Sequence, residues 1–203
     1  MTPMAYETLA PMPIPMRWLV PPVSCHADGS TLSLVAGGRT DWFVDPSGER
    51  EPVLSGPALV GDAAGDYLLS ARVGVRFEST FDAGALMLYA SEKLWAKLCF
   101  EFSPDAEPMV VSVVTRGASD DANGFVVTGD AIWLRIARLG PAFAFHASTD
   151  GRLWRLVRHF TLGDDVEPAV GFEAQSPMGE GCAVTFDDIR FEGVRLGELR
   201  DGS

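Results

Sequence analysis

Trp95, Lys97 and Glu101 fall within Leu94–Phe102, a stretch in which apolar residues occupy every second position. On an extended chain successive side chains point to opposite faces, so Leu94, Ala96, Leu98, Phe100 and Phe102 share one side, and Trp95, Lys97, Cys99 and Glu101 share the other. The first side is core. The second sets an indole, an ammonium and a carboxylate together, a mixture that suits sugar recognition. A flat ring can cover the C–H face of a pyranose, while charged groups make short hydrogen bonds to its hydroxyls. The plainer alternative is a Lys97–Glu101 ion pair on a solvated sheet, with Trp95 packed along the lysine stem.

The same alternation turns Trp133 and Arg135 outward from an apolar set of Ile132, Leu134 and Ile136, and turns His146 outward from Phe143 and Phe145. With Tyr89, these residues are expected to join Trp95, Lys97 and Glu101 across neighbouring strands and to floor one groove. Its expected ligand is a carbohydrate or a related small polar metabolite. The alternative occupant is a protein partner or a second copy of the chain, anchored on the same aromatics.

Hydrolysis of a glycoside by retention needs two carboxyls about 5–5.5 Å apart. The acid-x-acid-x-x-acid run that would supply them is absent. Glu101 is the candidate acid if there is one, since Asp105 and Glu107 follow Pro104 in what reads as a turn and nothing in the sequence brings Asp41 to it. Asp41-Trp42 reads instead as an indole capping a core edge beside a carboxylate that accepts backbone N–H groups.

Ser119, Asp120, Asp121 and Asn123 read as a solvated acidic loop bearing oxygen ligands of the kind calcium takes, without diagnostic spacing. His26, His146 and His159 are far apart and the cysteines are unpaired in spacing, so no zinc site is expected. Cys99, facing the groove between Lys97 and Glu101, could be drawn toward thiolate by its cationic neighbour. Neither a Gly-rich phosphate loop nor a Gly-x-Ser-x-Gly elbow occurs, and no cofactor is expected.

The elements that must carry these groups are strands. Period-2 alternation and turn signals recur throughout, over 31–36, 40–45, 67–78, 84–90, 94–103, 109–115, 124–128, 131–139, 142–148, 153–161, 169–174 and 182–191, with no clean helical stripe. Pro46-Ser47-Gly48, Leu139-Gly140-Pro141 and Asp150-Gly151 are tight-turn material. An all-β sandwich of two antiparallel sheets follows. The 203 residues, 47% hydrophobic, favour one sandwich domain over 17–192, preceded by a Pro-rich lead-in over 1–16 and followed by a loosely held tail over 193–203.

A net charge of -12 argues against nucleic acid as a partner. No apolar run approaches the ~18 residues of a membrane-spanning helix. Three widely spaced cysteines, with no secretory signal, point to the reducing cytoplasm.

Several segments occur in a telling order: Thr40-Asp41-Trp42-Phe43, Trp95 and Lys97 with Glu101, Val113-Val114-Thr115 before Ser119-Asp120, Trp133-Leu134-Arg135-Ile136, Ser148-Thr149-Asp150-Gly151-Arg152-Leu153-Trp154, and Val170-Gly171-Phe172 before Ser176-Pro177. This ordered set resembles the domain-of-unknown-function family labelled regulation-of-enolase proteins over roughly 17–191. The resemblance implies a concanavalin A-like jelly-roll sandwich and a noncatalytic or regulatory role. Lectins, sugar-binding modules and glycosidases share that fold, an analogy of architecture only.

Overall fold

Strict alternation inside the strands produces two sheets whose facing sides are dry. In the computed structural model, which describes residues 9–203, the strands are β1 (Met16–Val20), β2 (Ser24–Asp28), β3 (Thr31–Gly37), β4 (Trp42–Phe43), β5 (Val53–Leu54), β6 (Ala58–Gly61), β7 (Tyr67–Arg76) and β8 (Ala83–Ser91). They continue with β9 (Leu94–Phe102), β10 (Pro108–Arg116), β11 (Ala118–Val126), β12 (Ala131–Leu139), β13 (Ala142–Ser148), β14 (Arg155–Thr161), β15 (Ala169–Gln175) and β16 (Gly181–Glu192). One sheet runs β1-β6-β15-β8-β9-β10-β11, the other β14-β13-β12-β7-β16-β3-β2, and β4 pairs with β5 in a small separate hairpin. Neighbours are antiparallel throughout, and links such as β6 to β15 and β7 to β16 cross between distant parts of the chain, as in a jelly roll.

The core lies between the sheets. Leu98, Phe100, Val110, Val114 and Phe172 from the first face Leu69, Val73, Ile132, Leu134 and Phe186 from the second, all essentially inaccessible. Phe172 and Phe186 meet edge to face at 5.0 Å across the sandwich.

Three expectations change here. The acidic stretch 119–123 is not a loop: Asp121 pairs with Val113 and Asn123 with Val111, making β11 the edge of the first sheet. An edge strand has a partner on one side only, and exposed charges protect it from pairing with other chains, so its sequence lacks the apolar alternation that marks inner strands. The fully exposed β2 escapes notice for the same reason.

The lead-in over 1–16 is partly core, since Leu9 and Met12 are buried and Met16 already belongs to β1; residues 1–8 of it lie outside the described residues. The tail over 193–203 is tied down. Leu196 and Leu199 cover an apolar patch of Leu68, Ala137 and Ala144 on the outside of the second sheet, and Arg195 reaches Asp66 at 3.1 Å.

Candidate functional site

The face of β9 that carries Trp95, Lys97, Cys99 and Glu101 is the outer face of the first sheet, and the register shows what flanks it. Lys97 lies between Met87 of β8 and Val113 of β10, with Asp121 beyond Val113. Glu101 lies beside Ala83, and Gln175 of β15 is next across from Ala83. Ala83, between Glu101 and Gln175, presents only a methyl group on this face. A cavity of about 280 Å³ opens on this face, lined by Asp41, Lys97, Glu101, Asp121 and Gln175, with Phe43 and Phe81 among its apolar walls and Arg50 also lining it.

Lys97 is almost fully buried. Its Nζ donates to Asp41 Oδ1 at 3.2 Å and, in a short bond, to Gln175 Oε1. Burial by itself would strip its proton, but the carboxylates of Asp41 and Glu173, with Cys99 and Glu101 behind them, outweigh burial and hold the ammonium charged. Asp41 also accepts from the Trp42 N–H at 2.7 Å, so the expected backbone contact exists and the lysine contact is added to it.

Burial pushes the Glu101 carboxyl up to about 8, with Lys97 pulling the other way and Asp121, Asp41 and Glu173 pushing further. Burial raises Asp121 as well, again against Lys97. Glu173 is inaccessible, is raised to about 7 by burial, and neither of its carboxyl oxygens has a hydrogen-bond partner among the described residues. It lies beneath Gly56, where a Cβ would collide with its Oε1 and approach Trp42 Cδ1 at 2.9 Å. Glycine is required at 56 by that close approach.

Phe81 carries no sequence signal that marks it for the site. It holds a left-handed backbone, φ 67°, a strained conformation for a non-glycine residue costing roughly 1–3 kcal/mol that persists only where the surroundings impose it. Asp82 imposes it: its Oδ2 accepts from the Glu78 and Ser79 N–H groups at 2.9 and 2.8 Å, and its Oδ1 accepts from Ser176 Oγ at 2.6 Å. Gln175 Nε2 donates to the Phe81 carbonyl at 3.1 Å, joining the turn to the cavity floor.

The remaining expected site residues are placed differently. Trp95 lies on the groove side of β9 but is inaccessible, meeting Trp42 edge to face at 5.8 Å beneath the β4–β5 hairpin, with Tyr89 packed on the same Trp42 at 5.7 Å. A covered indole cannot stack on a sugar, and the rings that line the cavity are the half-buried Phe43 and the partly exposed Phe81.

Trp133, Arg135 and His146 lie on the outer face of the second sheet, on the far side of the sandwich from Lys97. Alternation settles which side of a strand a residue takes but not which sheet the strand joins. There Arg72 covers Trp133 at 5.4 Å and Trp154 covers Arg135 at 4.2 Å. The tail completes the cover: Arg135 Nη2 donates to the Gly202 carbonyl and His146 Nε2 to the Leu199 carbonyl, both at 2.8 Å. Burial lowers Arg135 to about 10 and His146 to about 4.

Cys99 is inaccessible, and burial lifts its thiol far more than Lys97 lowers it, so it is not the thiolate its neighbour suggested. No three His, Cys, Asp or Glu side chains among the described residues converge on a position that could hold a metal ion.

Residues 18–194 match the family described as "Protein of unknown function (DUF1349)". The chain belongs to this family. Within DUF1349's range of relatives, the chain is similar to the "Regulation of enolase protein 1" of Saccharomyces cerevisiae, 28% identical over 178 residues that cover 84% of this chain and 86% of the yeast protein. A crystal structure titled as a functionally unknown protein from Saccharomyces cerevisiae superposes with a TM-score of 0.81 at 26% identity, over 90% of this chain and 97% of that one.

More distant likenesses concern the fold alone. The carbohydrate binding module CBM66 from Bacillus subtilis aligns at TM-score 0.56 and 14% identity over 94% of this chain and 99% of its own. A GH43 protein from Bacillus licheniformis aligns at 0.66 and 15% over 87% of this chain but only 36% of its own length. These neighbours share the β-sandwich, and the DUF1349 chain is such a sandwich.

Proposed function

We propose that this protein is a noncatalytic or regulatory cytoplasmic sandwich that binds a small polar, carbohydrate-like ligand in the cavity around Lys97. The observation that carries this reading is the buried Lys97 ammonium, held by Asp41 and Gln175 at the bottom of a hollow walled by Phe43 and Phe81. A buried charge is costly unless paired and hydrogen-bonded, and such groups placed in a concave site commonly orient a ligand. The cavity is small for a ligand site, which suits a monosaccharide or a chain end. A carbohydrate binding module with the same fold adds support by analogy, and the regulatory part follows the name of the yeast relative.

Calorimetric titration with neutral, acidic and amino monosaccharides tests this. Binding should weaken about tenfold in Phe81→Ala, which removes a partly exposed ring worth roughly 1 kcal/mol or more against a ligand face. If none of the sugars binds, or if Phe81→Ala binds as tightly as the parent, the reading is wrong.

One observation favours a hydrolase as the second reading. Glu101, raised to about 8, would be protonated at neutral pH and shares its cavity with the carboxyls of Asp41 and Asp121. Turnover of aryl glycosides that disappears in Glu101→Gln would establish it. A protein-interaction role, the other alternative, would need anchors other than Trp95, which is inaccessible, and Trp133, which Arg72 covers.

A further inference from the structure

β11 closes one side of the first sheet and β14 closes one side of the second, and among the described residues no backbone ladder joins these two edges. Side chains bridge part of the seam. Arg158 of β14 donates to the Ser112 and Asp120 carbonyls and pairs with Asp120 Oδ1 at 2.8 Å, and Arg116 Nε donates to the Thr161 carbonyl at 3.3 Å. Past Arg158 these bridges stop and the seam widens into an open cleft of about 650 Å³, with Gly124 and Phe125 on one wall, Trp154, Arg155 and Val157 on the other, and Arg200 of the tail also lining it. That volume lies within the range of small-molecule sites, and the cleft shares no lining residue with the Lys97 cavity.

Both walls are bulged where they face the cleft. On β11 the register slips between Asn123 and Val126, so that Gly124 and Phe125 together stand opposite Val110; on β14 Val157 is the extra residue between Leu156 and Arg158. A Cβ at Gly124 would come within 2.9 Å of the Val110 carbonyl oxygen, so the first bulge has no room for a side chain there. Bulges bend an edge strand and re-aim its side chains, and they recur beside binding sites. Arg155, directly opposite the core-facing Ala147, is turned toward the space between the sheets. Arg200 sits in a turn of the tail closed by the Gly202 N–H on the Glu198 carbonyl at 3.0 Å and anchored by Arg135 Nη2 on the Gly202 carbonyl.

The two guanidinium groups at the cleft are unspent. Among the described residues neither Arg155 nor Arg200 has an ion pair, although carboxylates outnumber cations in this chain of net charge -12 and Arg17, Arg72, Arg138 and Arg158 are all paired. Asp201, the carboxylate that lines the cleft, accepts from the Ser203 N–H at 3.0 Å. A third guanidinium, Arg135, stacks on the Trp154 ring 4.2 Å from its centroid, with its buried Nε unpartnered among the described residues. Guanidinium groups grip phosphate and carboxylate oxygens in pairs, while an indole and a phenyl ring offer flat apolar surface to a ring-shaped body. We propose that this cleft binds a small organic anion, a phosphate or carboxylate carried on a ring, with Arg155 and Arg200 on the anion and Trp154 and Phe125 against the ring. The site is separate from the Lys97 cavity and does not depend on the function proposed for it.

Calorimetry on the full chain with phenyl phosphate, benzoate, glucose 6-phosphate and glucuronate, against phenol, glucose and inorganic phosphate, reads affinity, and the assigned NMR resonance of the Trp154 indole N–H reads position. At least one ring-bearing anion should shift that resonance and bind about tenfold tighter than its neutral counterpart, the scale of a hydrogen bond to a charged group. The tightest probe identifies the head group as phosphate or carboxylate and the body as aromatic or sugar. Arg155→Ala and Arg200→Ala, at exposed positions without ion pairs, should each weaken that binding about tenfold. Phe81→Ala, in the other cavity, should leave it unchanged.

A Trp154 resonance that no anion moves, neutral counterparts that bind as tightly as the anions, or binding that survives both arginine substitutions would overturn the proposal. Inorganic phosphate binding as tightly as the ring-bearing anions would overturn it as well, since the rings would then contribute nothing. None of these results bears on the Lys97 cavity, whose own test reads a different set of residues.

Discussion

Lys97 and its carboxyl neighbours make the strongest residue-scale prediction. Glu101 and Glu173 are raised from 4.5 to about 8 and about 7 by burial. A carboxyl whose folded-state value lies above its unfolded one binds more protons folded than unfolded between the two values. Its contribution to stability is therefore complete below about pH 4.5 and is lost as pH rises through 7 and 8. Thermal unfolding followed from pH 5 to pH 9 should show a falling midpoint, and Glu101→Gln should flatten the fall. A midpoint that rises over this range would contradict the burial of these groups. Lys97 and Glu101 were recognisable as chemistry-bearing residues in the sequence, whereas Asp41 read only as a backbone acceptor beside Trp42. Gln175 and Phe81 were not, because a glutamine ending a strand and a phenylalanine in a turn carry no pattern that marks them as floor and wall of a cavity.

At the scale of elements, two short pieces decide how accessible the sheet faces are. The β4–β5 hairpin sits on Trp95 through Trp42, whose Nε1 donates to the Gly56 carbonyl at 2.7 Å. Gly56→Ala would push its new methyl into Glu173 and Trp42. It is expected to destabilise the fold by about 1–3 kcal/mol, as overpacking does, and to weaken ligand binding with it. Denaturant unfolding of the variant, alongside titration, checks this.

The tail does the equivalent work on the second sheet. Leu196→Ala removes a buried side chain from the patch with Leu68, Ala137 and Ala144, at a cost of about 2–3 kcal/mol. Loosening the tail should also return the His146 imidazole from about 4 toward its ordinary 6.5, which NMR titration would detect. An unmoved His146 would show that the sheet alone, without the tail, desolvates it. The inner strands were legible because each buries one face. The edge strands β2 and β11, the hairpin and the tail were not, since their roles depend on what they lie against.

For the whole molecule, both sheets share one apolar interior, so they should unfold together. Phe172→Ala empties the contact with Phe186 across the sandwich and is expected to cost about 3–5 kcal/mol. Fluorescence reporting the tryptophans and circular dichroism reporting the strands should shift by the same amount. Separate transitions would mean that the two sheets are not one cooperative unit.

The amino-acid sequence by itself determined the fold class, the strand faces and the family resemblance, because alternation, turn chemistry and ordered motifs are local properties written along the chain. It also placed Lys97 and Glu101 on a common outward face. Only the tertiary structure decided that Trp133, Arg135 and His146 belong to the opposite sheet, that Trp95 is roofed by Trp42, and that Asp41, Asp121, Glu173 and Gln175 gather around Lys97. Those are matters of which strands become neighbours, and neighbour choice is set by long-range packing between segments on the order of a hundred residues apart, which no local periodicity records.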